Sequence, residues 1–199
     1  MKEVIREKTI FLKRWATNPL RVGSVIPSSP SLSRMMAQHT VRLWEQDTWV
    51  LEIGAGTGPI TQALLQQGLP PHRLISMDVD ATMTAFLSKR FPDIHVIEGS
   101  AAFLDQLVPE QARGKISVIV STVPLVSLSP VVCDHIIRSC LQVLTPQGSL
   151  LQLTYSPVSS VASQHYHIHA QHLGRVWSNF PPGNIWRYTK QDEWGDKPV

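Results

Sequence analysis

The chain has 199 residues, enough for one α/β domain with a substantial core. A hydrophobic fraction of 43% with 17% charged residues excludes a disordered chain, and no apolar run approaches the ~20 residues of a membrane span. The net charge of +3 is uneven: residues 1–42 hold eight Lys and Arg against two Glu, a balance of +6, which leaves −3 for the remainder and directs the N-terminal end toward a polyanionic surface.

The N-terminus lacks the uninterrupted apolar core and small-residue cleavage site of a signal peptide, so a cytoplasmic location is expected. Residues 2–16 have a helical pattern. Val4, Ile5, Phe11, Leu12 and Trp15 share a stripe, while Lys2, Arg6, Lys13 and Arg14 lie largely off it. Such a helix suits a membrane interface, and it equally suits a helix packed on a domain with solvated charges. Asn18-Pro19 ends it. Gly23 to Ser31, with two prolines and four serines, is a loop, and Ser31 or Ser29 caps a helix from Leu32 to about Trp44.

Trp49-Val50-Leu51-Glu52-Ile53-Gly54-Ala55-Gly56-Thr57-Gly58 then joins an apolar run to a glycine loop. It reads as a strand buried on both faces, a tight turn and a helix over 59–67 with Pro59 in its first turn. The free N–H groups at that helix start favour a polar or anionic ligand group, so a nucleotide-like cofactor is expected. The second strand runs from Leu74 to Asp80. Its Asp78 follows Gly58 by 20 residues, the interval expected of a carboxylate that accepts bonds from ribose hydroxyls.

A helix over 81–91 stops at Pro92, and a short strand over 95–98 ends at Gly99-Ser100-Ala101. Phe103 to Val108 is a helical turn or short helix. Lys115 to Ser121 is a β-branched fourth strand, Pro130 to Leu144 a helix, and Ser149 to Tyr155 a fifth strand after a turn at Pro146-Gln147-Gly148. Cys133 and Cys140, in the apolar pattern of that long helix, read as buried reduced thiols. Residues 157–172 read as a loop or helix. Residues 175–179 and 184–189 flank Phe180-Pro181-Pro182-Gly183 as a terminal antiparallel hairpin. The alternation predicts a parallel sheet with helices on both faces, and the loops after Ile53, Asp78, Glu98, Ser121 and Tyr155 should converge on one crevice.

A dinucleotide loop would read Gly-x-Gly-x-x-Gly; here the third glycine comes one residue early, at Gly58. Leu-Glu-Ile-Gly-Ala-Gly-Thr-Gly resembles the first motif of class I S-adenosylmethionine-dependent methyltransferases. Asp78, the Gly99-Ser100 turn, the fourth-strand loop and the closing hairpin follow in that family's order. The resemblance implies a Rossmann-like α/β fold, a seven-stranded mostly parallel sheet whose last strand is antiparallel, with residues 32–199 as the methyltransferase domain and 1–31 as an amphipathic helix and covering loop. It implies S-adenosylmethionine as cofactor and S-adenosylhomocysteine as product. The cofactor set is then Glu52, the loop Gly54, Ala55, Gly56, Thr57 and Gly58, then Asp78 with Val79 at the ribose, Ser100 and Ala101 at the adenine, and Ser121. The sequence departs from the family at Ser100, where an aspartate often binds the adenine amino group. The alternative for Glu52 is a helix-capping or loop-fixing acid.

A closer resemblance rests on Asn18-Pro19, Gly23 to Ser29, Ser121-Thr122-Val123-Pro124-Leu125, Gln152-Leu153-Thr154-Tyr155 and Trp177 to Trp186. These segments look like bacterial phospholipid N-methyltransferases of the soluble, membrane-associated type. That implies methylation of phosphatidylethanolamine toward phosphatidylcholine by a peripheral enzyme on the inner leaflet. An anionic membrane surface would meet the basic N-terminal helix. Phe11, Lys13, Arg14, Trp15, Ser28 and Ser29 become candidate membrane or substrate contacts. Tyr155 becomes the candidate catalytic residue, orienting the amine.

The same segments are more distantly similar to ribosomal RNA adenine dimethyltransferases. Ser121 and Leu125 replace the asparagine and aromatic of their Asn-Leu-Pro-Tyr motif, which removes base stacking and amide bonding, so no nucleic-acid partner is expected. A cofactor-binding module without activity is the third reading. No obligate protein partner is evident, and no acid–base pair stands out. His165, His167, His169 and His172 include helical ligand spacings but no accompanying Cys or acid, so no metal is expected.

Overall fold

The computed structural model describes residues 29–178 and 182–191. The helix expected over 2–16, most of the covering loop, and Phe11, Lys13, Arg14, Trp15 and Ser28 lie outside the described residues.

Helix α1, Pro30–Leu43, begins at Ser29, whose Oγ accepts from the Leu32 N–H at 3.3 Å; Ser29 is thus the cap of the two serines considered. Strand β1, Trp49–Ile53, is buried along its whole length, as its unbroken apolar run predicts. Helix α2, Pro59–Gln66, follows the glycine loop. Strand β2, Leu74–Asp78, ends two residues earlier than the sequence suggests. Asp80 caps helix α3, Ala81–Arg90, accepting through Oδ1 from Thr82 N–H at 2.7 Å and Met83 N–H at 3.3 Å. Strand β3, His95–Glu98, leads into a 3-10 turn and the short helix α4, Leu104–Leu107. Strand β4, Ile116–Ser121, precedes helix α5, Pro130–Val143, and strand β5, Leu144–Thr154.

The C-terminal part departs most from expectation. Residues 157–172 contain a one-turn helix α6, Ser163–Tyr166, and much of strand β6, Ile168–Val176, which pairs with strand β7, Gly183–Lys190. The first arm of the hairpin therefore starts at Ile168, not at Arg175. β6 is an edge strand, and His169, Ala170, Gln171 and His172 are all exposed, so the apolar alternation that reveals a half-buried strand is absent there. The strand also breaks the histidine pattern. His165 sits on α6, His167 adopts φ 51, and His169 and His172 lie on β6, so helical ligand spacing does not apply. Among the described residues no group of three or more His, Cys, Asp or Glu is placed to hold a metal.

The seven strands form one sheet in the order β3-β2-β1-β4-β5-β7-β6. Strands β1 to β5 pair in parallel, and β7 runs antiparallel to both β5 and β6. This is the Rossmann-like sheet with an antiparallel last strand that the sequence implies. One core layer, with Leu51, Ile119, Leu150, Ile137 and Tyr188, lies between the sheet and α5. The other, with Val50, Val120, Leu151, Leu32 and Ile60, lies between the sheet and helices α1 and α2. Each such side chain, removed from water, contributes about 1.5–3 kcal/mol. Cys133 and Cys140 are free thiols, and burial pushes the Cys140 thiol up to about 12. No helix among the described residues is long and apolar enough to cross a membrane.

Candidate active site

The carboxyl ends of the parallel strands meet at an open cleft lined by residues of the β1, β2, β3 and β4 ends and of α5. Its wall begins at the glycine loop. Gly54 has φ +76, and a Cβ there would lie 3.1 Å from Thr122 Oγ1 and 3.3 Å from Val123 Cγ2. Glycine is required both for the left-handed turn and for the close approach of the β4 loop. The turn is anchored to its neighbour strand: Gly54 and Ala55 donate their N–H groups to the Met77 carbonyl at 2.9 and 3.1 Å. Thr122 Oγ1 donates to the Gly54 carbonyl at 2.6 Å and closes the other side.

Asp78, at the end of β2, holds the loop from the cavity side. Its Oδ2 accepts from Gly56 N–H at 2.8 Å and its Oδ1 from Asp80 N–H at 3.0 Å. A carboxylate has about four lone-pair sites, so these two bonds leave acceptor capacity at the wall that Asp78 helps to line. Val79, Gly99, Ser100 and Ala101 continue that wall. Ser100 Oγ accepts from Ala102 N–H at 3.3 Å, which shapes the turn after β3.

Glu52 occupies a different place. It is fully buried behind the loop, and its Oε2 accepts from Thr61 Oγ1 at 2.5 Å and Ser76 Oγ at 2.7 Å. Its Oε1 has no partner among the described residues. Burial raises its pKa to about 7, against the opposing effect of the two hydroxyl bonds. The carboxyl group thus ties β1 to α2 and β2, and it does not line the cavity.

The other expected residues are distributed around this centre. Ala55 is buried in the loop, while Thr57 is exposed and its carbonyl accepts from Arg90 Nη1 at 2.8 Å. Gly58 starts α2 at φ +80. Ser121 is buried at the end of β4 with an unpartnered Oγ; it adjoins the cavity-lining Val123 loop without forming the wall itself. Tyr155 lies just past β5, 37% exposed, on the same edge but outside the wall. Ser29 caps α1, and Ser31 Oγ pairs with Ser178 Oγ at 2.6 Å.

Sequence reasoning passes over the apolar part of the wall: Met77, Val123, Leu128, Val132 and Ile136. Leu128, Val132 and Ile136 recur every four residues into α5, a spacing indistinguishable in sequence from an ordinary core stripe.

A family model described as a methyltransferase domain matches residues 50–148. An ornithine lipid N-methyltransferase of Singulisphaera acidiphila is 31% identical over 151 residues, covering 74% of this chain and 78% of that protein. The chain belongs to the class I S-adenosylmethionine-dependent methyltransferases. A TehB-like methyltransferase of Corynebacterium glutamicum shares the fold at a TM-score of 0.58 and 16% identity, over 94% of this chain and 99% of its own. Ribosomal RNA small subunit methyltransferase A of a Synechococcus strain is 42% identical over 69 residues, which are 33% of this chain and 23% of that protein.

The cofactor of this methyltransferase is S-adenosylmethionine, and the residues present fit it. The apolar faces of Met77, Val79, Ala101 and Val132 suit a flat purine. Asp78 offers a carboxylate to a diol, and the glycine loop leaves room for backbone contact with the amino-acid end.

Proposed function

We propose that the enzyme methylates the amine of a phospholipid headgroup at a membrane surface, carrying phosphatidylethanolamine toward phosphatidylcholine. The observation that carries this reading is the 31% identity to an ornithine lipid N-methyltransferase across three-quarters of the chain. Both lipids present a primary amine on a polar headgroup.

When bound, the cofactor supplies an electrophilic methyl group on a sulfonium. The chain must hold an acceptor nitrogen within about 3–3.5 Å of that methyl, in line with the sulfur, and exclude water. The Asp78 carboxylate and the 54–58 loop fix the cofactor end, with Val79, Ser100 and Ala101 at the base. Glu52 serves this arrangement by locking the loop against β2 and α2. Ser121 and Tyr155, on the β4 and β5 ends, stand toward the acceptor side, and Tyr155 orients the amine. The headgroup amine, ammonium at neutral pH, must lose a proton to solvent before it accepts the methyl. Nitrogen then gains a carbon bond as the carbon–sulfur bond breaks, and the electron pair goes to sulfur. A third transfer leaves a quaternary ammonium with no proton to release. The basic N-terminal segment, with Phe11, Lys13, Arg14, Trp15, Ser28 and Ser29, docks the enzyme on an anionic inner leaflet.

The 42% identity to a ribosomal RNA methyltransferase favours a second reading, methylation of an adenine in RNA. That match covers only a third of this chain and 23% of that protein. Purified enzyme with methyl-labelled S-adenosylmethionine, offered a bacterial lipid extract and ribosomal RNA in separate reactions, decides between them. Label in aminolipids is expected, and label in RNA alone would overturn the reading.

A further inference from the structure

Scattered exposed apolar residues need no explanation. Here they are not scattered. Among the described residues six large apolar side chains are exposed, Tyr155 and Phe86 only in part: Phe86, Val126, Val131, Tyr155, Val158 and Trp177. Phe86 lies within α3; the other five lie on one edge. Strands β1, β4, β5 and β6 run in the same direction, so the loops that leave their carboxyl ends share the edge on which the cavity opens. Val126 follows β4, Tyr155 and Val158 follow β5, and Trp177 follows β6. Val131 starts α5, which leaves the same β4 loop. Val126, Val131, Val158 and Trp177 are 65%, 68%, 65% and 73% exposed.

We propose that this rim is a lipid-contacting surface, which inserts shallowly into the bilayer and seats the cavity mouth at headgroup level. The inference rests on the lipid-amine reading for its occupant, and two observations and one physical requirement support it. The Arg175 guanidinium sits 5.0 Å over the Trp177 ring, pairing a cation with an aromatic at the rim, an arrangement suited to an interface with anionic headgroups. The Ser31–Ser178 bond fixes the start of α1 beside Trp177, so residues 1–28, with six Lys and Arg against two Glu, join the described chain at this edge. The acyl chains of the acceptor remain in the membrane, so an enzyme that takes a lipid headgroup into a cavity must present that cavity's mouth to the bilayer. The rim adds a contact on the catalytic domain itself, separate from the N-terminal segment.

The test uses the full chain and vesicles of phosphatidylcholine with phosphatidylglycerol. A Val126→Ser/Val158→Ser/Trp177→Ser variant is expected to partition onto them about tenfold more weakly than wild type, since three apolar anchors are lost. Its affinity for S-adenosylmethionine, measured by calorimetry, should be unchanged, which shows that the domain is folded. In a second measurement, bromine-labelled acyl chains should quench less of the tryptophan fluorescence in Trp177→Phe than in wild type. Equal partitioning and equal quenching would overturn the proposal. So would a loss of self-association in the variant with vesicle binding intact, because a second copy would then cover the rim. Vesicle binding that depends on the rim, without methylation of any aminolipid, would overturn the assigned substrate and leave the surface standing.

Discussion

The Asp78 carboxylate accepts from two backbone N–H groups, Gly56 and Asp80, and still borders the cavity. Asp78→Asn keeps the volume but replaces one accepting oxygen with a donor and removes the charge. A hydrogen bond to a charged group is worth about 1.5–3 kcal/mol, so affinity for S-adenosylmethionine should fall about ten- to a hundredfold by calorimetry. An unchanged dissociation constant would remove Asp78 from the cofactor contacts. Glu52 gives a prediction in pH. The folded chain raises its pKa from 4.5 to about 7, chiefly by burial, so between those values the folded state binds more protons than the unfolded one. The contribution of this group to stability is therefore most favourable at and below about pH 4.5 and is lost progressively as pH rises to about 7. At 1.36 kcal/mol per pKa unit, the loss is about 3 kcal/mol. Glu52→Gln carries no titrating proton. Its thermal midpoint should fall less than that of wild type across this window, and parallel melting curves would contradict the assignment.

At the scale of elements, the turn from β1 into α2 determines where the cavity lies. A Cβ at Gly58 would fall 2.6 Å from Phe91 Cε2 and 2.8 Å from Leu87 Cδ2, besides the strain of φ +80. At Gly56, with φ +55, a Cβ meets nothing within 4 Å. Gly58→Ala should therefore cost about 1–3 kcal/mol beyond the cost of Gly56→Ala, read as the difference between their thermal midpoints. Equal losses would show that α3 yields freely. This turn was legible in sequence because strand, glycines, proline and the later acid each demand the same geometry. Edge strand β6 was not, because the four consecutive exposed positions His169 to His172 carry no period-2 signal. The sequence pattern overruns the end of β2 because Asp80, which caps α3, follows the strand's final Asp78 after a single valine. Leu128, Val132 and Ile136 have the spacing of any buried helix face, and only the fold reveals that part of this face lines a cavity.

Across the whole molecule, the sheet gathers the cavity-lining residues, the β4 and β5 ends and the start of α1 onto one edge. Sequence patterning reaches the sheet, the cofactor and the glycine loop. The acceptor side is less legible, because it is built from loop positions whose spacing in sequence implies no face. Methyl transfer to a lipid amine is open to one direct experiment. Full-length enzyme is incubated with S-adenosylmethionine and vesicles containing phosphatidylethanolamine or ornithine lipid, and the lipids are resolved by mass spectrometry. N-methylated headgroups are expected to accumulate with time and to be strongly reduced with Asp78→Asn. S-adenosylmethionine binding with no methylated product from either lipid would contradict that transfer.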